Sequence, residues 1–338
     1  MTDVTIVAEA GINHNGEISL AKQMIDAAAG CGADVIKFQT FRAEEFVSDP
    51  DQTYTYMSQG KQVTESMLEM FKRYEFSEED WCRIISHCQK TGIRFCSTAQ
   101  NTSDLDFLLT HADLPFIKVG SDDLTNLALL SEYGGKNIPL VLSAGMSYPG
   151  EIHDALETVK AAGCRDVTVL HCVSEYPAAP ETVHLSKIPV IRDAFGVRVG
   201  FSDHTTGSAA AVGAVCFGAT FIEKHFTLDN GMAGPDHWFS ADVDALGQYV
   251  SDIRSVIKAI GRPTLVPSPL EQDMRRIARR KIVAGRDLDA GHRLCEGDIC
   301  LKRSDRDGMA PKEAVYILGR TLDRPVTKGR PFQLNDFK

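Results

Sequence analysis

Thr220–His225 reads TFIEKH and Val199–His204 reads VGFSDH, two short apolar runs that each close on a histidine. Six segments upstream have the same character: Thr5–Glu9 (TIVAE), Val35–Thr40 (VIKFQT), Arg94–Thr98 (RFCST), Phe116–Ser121 (FIKVGS), Pro139–Ser143 (PLVLS) and Val167–Cys172 (VTVLHC). Each is the length of a buried strand and nearly all end on a polar residue. Helix-like stretches separate them. Eight buried strands alternating with helices predict a (β/α)8 (TIM) barrel, an α/β fold whose chemistry gathers at the C-terminal ends of the strands.

Between the second and third strands, residues 41–76 form an excursion far longer than an ordinary strand-to-helix loop. On a barrel it lies at the catalytic face, as decoration, a lid or a subunit contact. Ser77-Glu78-Glu79-Asp80 marks a helix start of the capping-box type. Further helices are expected over 101–111, 124–133, 151–162, 183–194, 208–217 and 242–260. Proline and glycine then mark a change of style. The reading divides the chain into a barrel over 1–262, a linker over 263–279 and a small domain over 280–338. The stretch Glu271–Lys281 is strongly basic at its end (Arg275, Arg276, Arg279, Arg280, Lys281) and reads as a solvated helix face. The last segment holds a weak repeat: Leu288…Gly291…Asp298 and Val326…Gly329…Asp336 keep the same separations, which suggests pseudo-twofold symmetry.

Composition sets the outer bounds. The chain has 338 residues, 43% hydrophobic and 24% charged, with a net charge of −10 and a pI near 5.5. That balance argues against nucleic acid or an anionic membrane as partner. No leader-like or membrane-spanning apolar run is visible, and the nine cysteines form no C-x-x-C pair. Cys31, Cys96, Cys172 and Cys216 sit in apolar patterns and are expected reduced and buried, consistent with a cytoplasmic protein.

Side chains alternate along a strand, so Glu223 and His225 share one side with Lys224 on the other, and Ser202 shares a side with His204. Two imidazoles on adjacent strand ends suit a divalent metal with open positions, with Asp236 soon after. Lys37 and Lys118 lie on barrel strands, where an unpaired ammonium is costly. An anionic ligand between them is the expectation, with hydroxyls from Thr98, Ser121 and Ser143. The alternative is internal compensation by Glu9 and Asp123. Glu9, Asp122, Asp123 and Glu223 are acid/base candidates. Asn13-His14-Asn15-Gly16 reads as a turn that could set a polar side chain over the site. Neither a Walker loop nor a nucleophile elbow is present.

Taken in order, Ala8-Glu9-Ala10-Gly11-Ile12-Asn13-His14-Asn15-Gly16, Lys37-Phe38-Gln39-Thr40, Lys118-Val119-Gly120-Ser121, Leu142-Ser143-Ala144-Gly145-Met146, Leu170-His171-Cys172, Gly200-Phe201-Ser202-Asp203-His204-Thr205, Glu223-Lys224-His225-Phe226-Thr227 and Gly234-Pro235-Asp236-His237 resemble the sialic acid synthase family. These are the nonulosonate synthases, which make N-acetylneuraminate, legionaminate and pseudaminate. The resemblance spans essentially the whole chain; the tail, with Lys302-Arg303, is similar to the family's antifreeze-like (SAF, β-clip) domain.

That resemblance implies condensation of phosphoenolpyruvate with an open-chain N-acyl amino sugar, with a divalent metal, usually manganese, though magnesium or cobalt would also serve. It implies His204 and His225 as metal ligands, and Lys37, Thr98, Lys118, Ser121 and Ser143 as holders of phosphoenolpyruvate. Glu9, Gln39, Ser174, Tyr176, Ser202 and Asp236 would line the sugar and metal side. Asp123 would manage a proton, with Glu9 and Glu223 as further catalytic carboxylates. A domain-swapped homodimer would bring Arg303 into the partner's site. The chain departs from the family pattern at Asp122, Ala99, Ser174 and Ile277, mostly toward the sugar, which leaves the particular amino sugar open. Two rival functions are a metal-dependent pyruvate aldolase or lyase on the same barrel and a non-catalytic carbohydrate- or ice-binding protein. The paired lysines argue against the first, and the histidines and strand-end carboxylates against the second.

Overall fold

A computed structural model describes residues 4–338, which divide into two compact units, the first ending at Arg262 and the second spanning Pro263–Lys338. The strands are β1 (Thr5–Gly11), β2 (Val35–Thr40), β3 (Thr53–Ser58), β4 (Lys61–Ser66), β5 (Arg94–Ala99), β6 (Ile117–Val119), β7 (Leu140–Ser143), β8 (Val167–Cys172), β9 (Arg198–Asp203), β10 (Phe221–His225), β11 (Arg280–Ala284) and β12 (Ile299–Arg303). In the first unit, eight parallel strands close into a barrel in the order β1-β10-β9-β8-β7-β6-β5-β2. The second unit is the C-terminal SAF domain.

Alternation along the barrel strands builds the interior in layers. Val7, Val35, Cys96, Phe116, Val141, Leu170 and Phe221 form one apolar cluster inside the barrel. Two residues further along these strands stand Glu9, Lys37, Thr98, Lys118, Ser143, Cys172 and Glu223, all buried. The first layer plugs the barrel; the second, nearer the C-terminal ends, is polar. Ser202 supplies the second-layer position on β9, two residues after Gly200. A methyl group at Gly200 would lie 2.5 Å from Leu170 Cδ2 and 2.6 Å from the Phe221 carbonyl oxygen, so only glycine fits between those side chains. The alternate residues on these strands pack outward. His171 contacts the Val183 carbonyl oxygen through Nε2 at 2.6 Å. Lys224 pairs with Asp203 at 3.4 Å, whose carboxylate also accepts from the Tyr249 hydroxyl at 2.9 Å.

Helices cover this barrel over nearly the expected ranges. Ser77 Oγ accepts from the Asp80 amide at 3.2 Å at the start of Glu78–Thr91, and Asp242 caps Val243–Ile260. The helix expected over 183–194 is two pieces, Pro180–Val183 and Lys187–Phe195, broken where His184 takes a φ of 49°. The long excursion carries its own structure. A short helix, Ala43–Phe46, precedes the antiparallel β3–β4 hairpin, which turns on Gln59 and Gly60, both at positive φ. Helix Met67–Tyr74 follows, and Met70 and Tyr74 join Ile12 and Phe41 in a satellite core. Two cysteines depart from expectation: Cys31 is half-buried, and Cys216, ending helix Ala209–Cys216, is exposed on its outer face. No described helix is long and apolar enough to cross a membrane.

In the second unit, helix Pro269–Ala278 starts from a Ser268 capping box and buries no residue. Beyond it, β11 and β12 pair antiparallel, and Arg280 and Lys281 belong to β11 rather than to the helix. The repeated half-motifs meet: Leu288 bridges Val326, while Gly291 and Gly329 both adopt a φ near 80° (81° and 80°). Each repeat ends in a 3₁₀ turn whose buried aspartate, Asp298 or Asp336, binds an amide three residues earlier.

Candidate active site

Lys37 on β2 projects into the polar layer with 3% of its side chain exposed. Its ammonium lies 2.7 Å from Glu9 Oε2 and 3.6 Å from Glu223 Oε2, and donates to Thr98 Oγ1 at 3.2 Å. Lys118 on β6 lies 3.8 Å from Glu223 Oε1 and donates to Ser143 Oγ at 2.8 Å. Internal carboxylates therefore separate the lysines, and the compensating pair is Glu9 with Glu223. Asp123 is not part of it. Its carboxylate is half-buried and accepts from Asn126 Nδ2 at 3.1 Å, in the approach to helix Leu127–Gly134. The strand β6 ends early, so Asp123 belongs to a loop that spacing alone could not aim.

Burial and charge set the protonation states. Glu9 is pushed up by burial and by Glu223, against the pull of Lys37. Glu223 is held down despite its burial, because Lys118 and Lys37 both attract its charge. Lys37 is raised: Glu223 and Glu9 outweigh the burial that would discharge it. Asp236, on the loop after β10, is pushed up to about 6 by burial, and burial also raises Asp123.

On the far side stand the two histidines, with ring centroids 5.6 Å apart. The Nδ1 of His204 lies 2.6 Å from the Val173 carbonyl oxygen, which fixes the proton there and leaves Nε2 as acceptor, 3.4 Å from Ser202 Oγ. The buried His225 Nδ1 has no hydrogen-bond partner. Burial lowers both rings below the ordinary imidazole range, so both are neutral. Two neutral imidazoles, one anchored by a carbonyl, are the donor set for a borderline divalent ion. No cluster of three or more His, Cys, Asp or Glu among the described residues is arranged for a metal. Tyr176 covers His204 at 4.1 Å between centroids. Phe239, which sequence patterning did not single out, packs 5.2 Å from His225 and 5.0 Å from Tyr176; its only signal is its place three residues after Asp236.

Two glycines reveal where polar groups converge. A methyl group at Gly145, after β7, would lie 2.6 Å from Ser174 Oγ, 2.7 Å from Ser121 Oγ and 3.1 Å from Cys172 Sγ. Ser121 Oγ accepts from the Gly145 amide at 3.0 Å and touches Cys172 Sγ at 3.6 Å. Cys172 thus lines the site rather than merely filling core. At Gly11 a methyl group would sit 3.5 Å from Glu9 Oε1, 3.6 Å from Gln39 Nε2 and 3.7 Å from Asp236 Oδ2. Ser202 Oγ donates to Glu223 Oε1 at 3.1 Å. The exposed Asp122 side chain folds back over Gly120. Exposed Arg303 (on β12) and Ile277 (in helix Pro269–Ala278) belong to the second unit. The Asn13–Gly16 turn does not place a side chain over the mouth. Asn13 and His14 are buried, and the His14 ring stacks on Phe76 at 4.2 Å.

A separate cleft of about 820 Å³ runs between helices Pro149–Ala161 and Lys187–Phe195 and is lined by Lys160, Arg165, Asp166 and Arg198. It lies at the N-terminal ends of β8 and β9, where Asp166 and Arg198 pair with each other. The C-terminal mouth holds the buried charges and is where a barrel places its chemistry.

A closed barrel whose mouth combines buried lysines, carboxylates and neutral imidazoles is that of a (β/α)8-barrel enzyme. Comparison with known proteins narrows the class. The NeuB family profile matches residues 24–264, and the SAF domain profile matches residues 279–338. The chain is 38% identical to N,N'-diacetyllegionaminic acid synthase of Campylobacter jejuni, over 95% of this chain and 96% of that one. Its identity to the Legionella pneumophila enzyme of the same name is 36%, over 96% and 92%. The crystal structure of N-acetylneuraminic acid (sialic acid) synthetase from Leptospira borgpetersenii, in complex with citrate, matches with a TM-score of 0.72 at 31% identity. It covers 82% of this chain and 93% of that one. The chain belongs to the NeuB family and carries its SAF domain at the C-terminus.

Proposed function

We propose that this chain condenses phosphoenolpyruvate with an open-chain N-acyl amino sugar, either N-acetylmannosamine or a diacetamido-trideoxy hexose, to give a nonulosonic acid and phosphate. The observation that carries this reading is the buried Lys37–Glu9–Glu223–Lys118 array, with hydroxyls on one flank and two neutral imidazoles on the other.

Lys37 and Lys118, with Thr98, Ser121 and Ser143, hold the phosphate and carboxylate of phosphoenolpyruvate, and their fixed donors stabilise charge without reorganising. Glu9, Gln39, Ser174, Tyr176, Ser202 and Asp236 orient the sugar. His204 and His225 would hold the divalent ion, manganese by family precedent with magnesium or cobalt as substitutes, which supplies polarisation of a carbonyl oxygen when bound. The methylene carbon of phosphoenolpyruvate attacks the aldehyde carbon, and the aldehyde oxygen gains a proton. Water adds to the central carbon, giving its proton to a carboxylate. Asp123, raised by burial, is assigned that exchange. The carbon–oxygen bond to phosphate then breaks as the new hydroxyl passes its proton to the departing phosphate, leaving a keto acid. Arg303 is assigned to the sugar site of a second subunit in a domain-swapped homodimer.

Phosphate release is the direct test, using phosphoenolpyruvate, manganese and a panel of N-acyl mannosamines and diacetamido-trideoxy hexoses. One sugar should release phosphate and form product in equal amounts, chelation should abolish this and manganese restore it. A folded, metal-replete protein that releases none across the panel overturns the proposal.

A further inference from the structure

The Asn13–Gly16 turn follows β1, and its side chains bind the loop that follows β10. Asn13 Nδ2 donates to the Phe226 carbonyl oxygen at 2.9 Å and to Ser240 Oγ at 3.0 Å. Ser240 Oγ in turn donates to the Asp236 carbonyl oxygen at 2.6 Å. Asn15 Oδ1 lies 3.1 Å from His237 Nε2, and His237 Nδ1 lies 2.7 Å from Thr227 Oγ1. With the amide oxygen as acceptor, the ring proton sits on Nε2, and Nδ1 accepts from the threonine hydroxyl. Gly234 closes over this pair: a methyl group there would lie 2.8 Å from His237 Cδ2 and 3.1 Å from Asn15 Oδ1.

The same loop is braced within itself and tied from one other direction. Asn230 Nδ2 donates to the carbonyl oxygens of His237 and Ser240, each at 2.7 Å. From the β3–β4 hairpin, Ser58 Oγ accepts from the Gly234 amide at 3.0 Å, and Gln59 Nε2 donates to the Gly231 carbonyl oxygen at 2.9 Å. Asp236 lies between these fastenings and aims its carboxylate at the point above Gly11 where Glu9 and Gln39 converge. A loop of this length, left free, would sample many conformations; each bond to a fixed wall restricts where its carboxylate can be.

We infer that Asn13, Asn15 and His237 are positioning residues: the turn after β1 clamps the loop after β10 and so holds Asp236 opposite Glu9 and Gln39. None of the three touches the reacting atoms in this arrangement. The inference rests on the proposed sugar-side place of Asp236, but the clamp itself can be read without turnover.

The test uses the full-length protein and the variants N15G and N15D. Asn15 has a φ of 53°, so glycine removes the side chain without backbone strain, and aspartate restores the acceptor. Amide hydrogen exchange over 228–242 reports the clamp, and the KM values for sugar and phosphoenolpyruvate report its consequence. N15G should exchange roughly tenfold faster in that segment, the order expected for one buried hydrogen bond lost. Its sugar KM should rise by a similar factor while its phosphoenolpyruvate KM stays within about twofold. N15D should restore both. Unchanged exchange in N15G overturns the clamp. A parallel rise in both KM values, unrescued by N15D, overturns the positioning role in favour of general destabilisation. Should the wild type turn over no sugar, the functional proposal fails while the exchange result still decides the clamp.

Discussion

Lys37 Nζ has Glu9 at 2.7 Å and Glu223 at 3.6 Å, and all three side chains are almost wholly buried. Removing the cation leaves two carboxylates facing one another in a low-dielectric layer, at a cost of about 3–5 kcal/mol. K37M should therefore lower the denaturant midpoint sharply. The deficit should depend on pH with a definite sign. Without Lys37, Glu9 in the folded state is raised further above its unfolded value, so it binds a proton that the unfolded chain has released. Stability is retained at low pH and lost as pH rises. K37M should be closer to wild type at pH 5 than at pH 8, as measured by urea titration; a deficit independent of pH would contradict the shared-charge reading. Period-two alternation already placed Lys37, Glu223, Ser202 and both histidines inward. Which carboxylate balances which lysine was not legible, because Glu9, Glu223 and Asp123 are alike in sequence. Only the barrel's closure brings β10 to β1 while leaving Asp123 beyond the early end of β6.

At the scale of elements, each barrel strand must present an inward side chain that fills its layer without colliding with neighbours on adjacent strands. Gly200 on β9 is the clearest case, because Leu170 and Phe221 already fill its slot. G200A should cost about 1–3 kcal/mol, since neither the Leu170 side chain nor the Phe221 backbone can retreat within a closed barrel. Thermal unfolding checks this: a variant melting with the wild type would show that the slot has room. Strand positions were legible from short apolar runs, and β2 and β8 coincide with their expected ranges. Helix breaks were less so. The left-handed His184 divides Pro180–Val183 from Lys187–Phe195; histidine is enriched among non-glycine residues at positive φ, but only a few per cent of such residues adopt it, so the residue type alone did not mark the break. The hairpin inside the excursion was likewise hidden, as its strands are polar and half-exposed.

Across the whole chain, the second unit repeats one device twice. Asp298 binds Arg286 at 2.7 Å and His292 at 2.7 Å, while Asp336 binds Arg330 at 2.9 Å. Although burial raises it, Asp298 is driven far below the carboxylate range by His292, the Cys295 amide and thiol, and Arg286. A depressed folded value means the stabilisation is present above the unfolded value and lost as pH falls. Full-length D298N should therefore melt earlier than wild type near neutrality, with the gap narrowing as the solution is acidified below about pH 4, near the unfolded carboxylate value; a constant gap on a melting series would contradict it. The paired Leu-Gly-Asp and Val-Gly-Asp spacings make this symmetry readable in the sequence. By itself, the sequence determined the barrel and the set of inward-facing polar residues, because strand period and turn chemistry are local properties, while its ordered motifs carried the resemblance to the family and to the SAF tail. Tertiary structure alone decided that Glu9 and Glu223 neutralise the lysines, that Cys172 and Gly145 meet Ser121 and Ser174, and that the Asn13–Gly16 turn grips the loop of Asp236. Those contacts join residues far apart in the chain, and only closure of the barrel sets the distances between them.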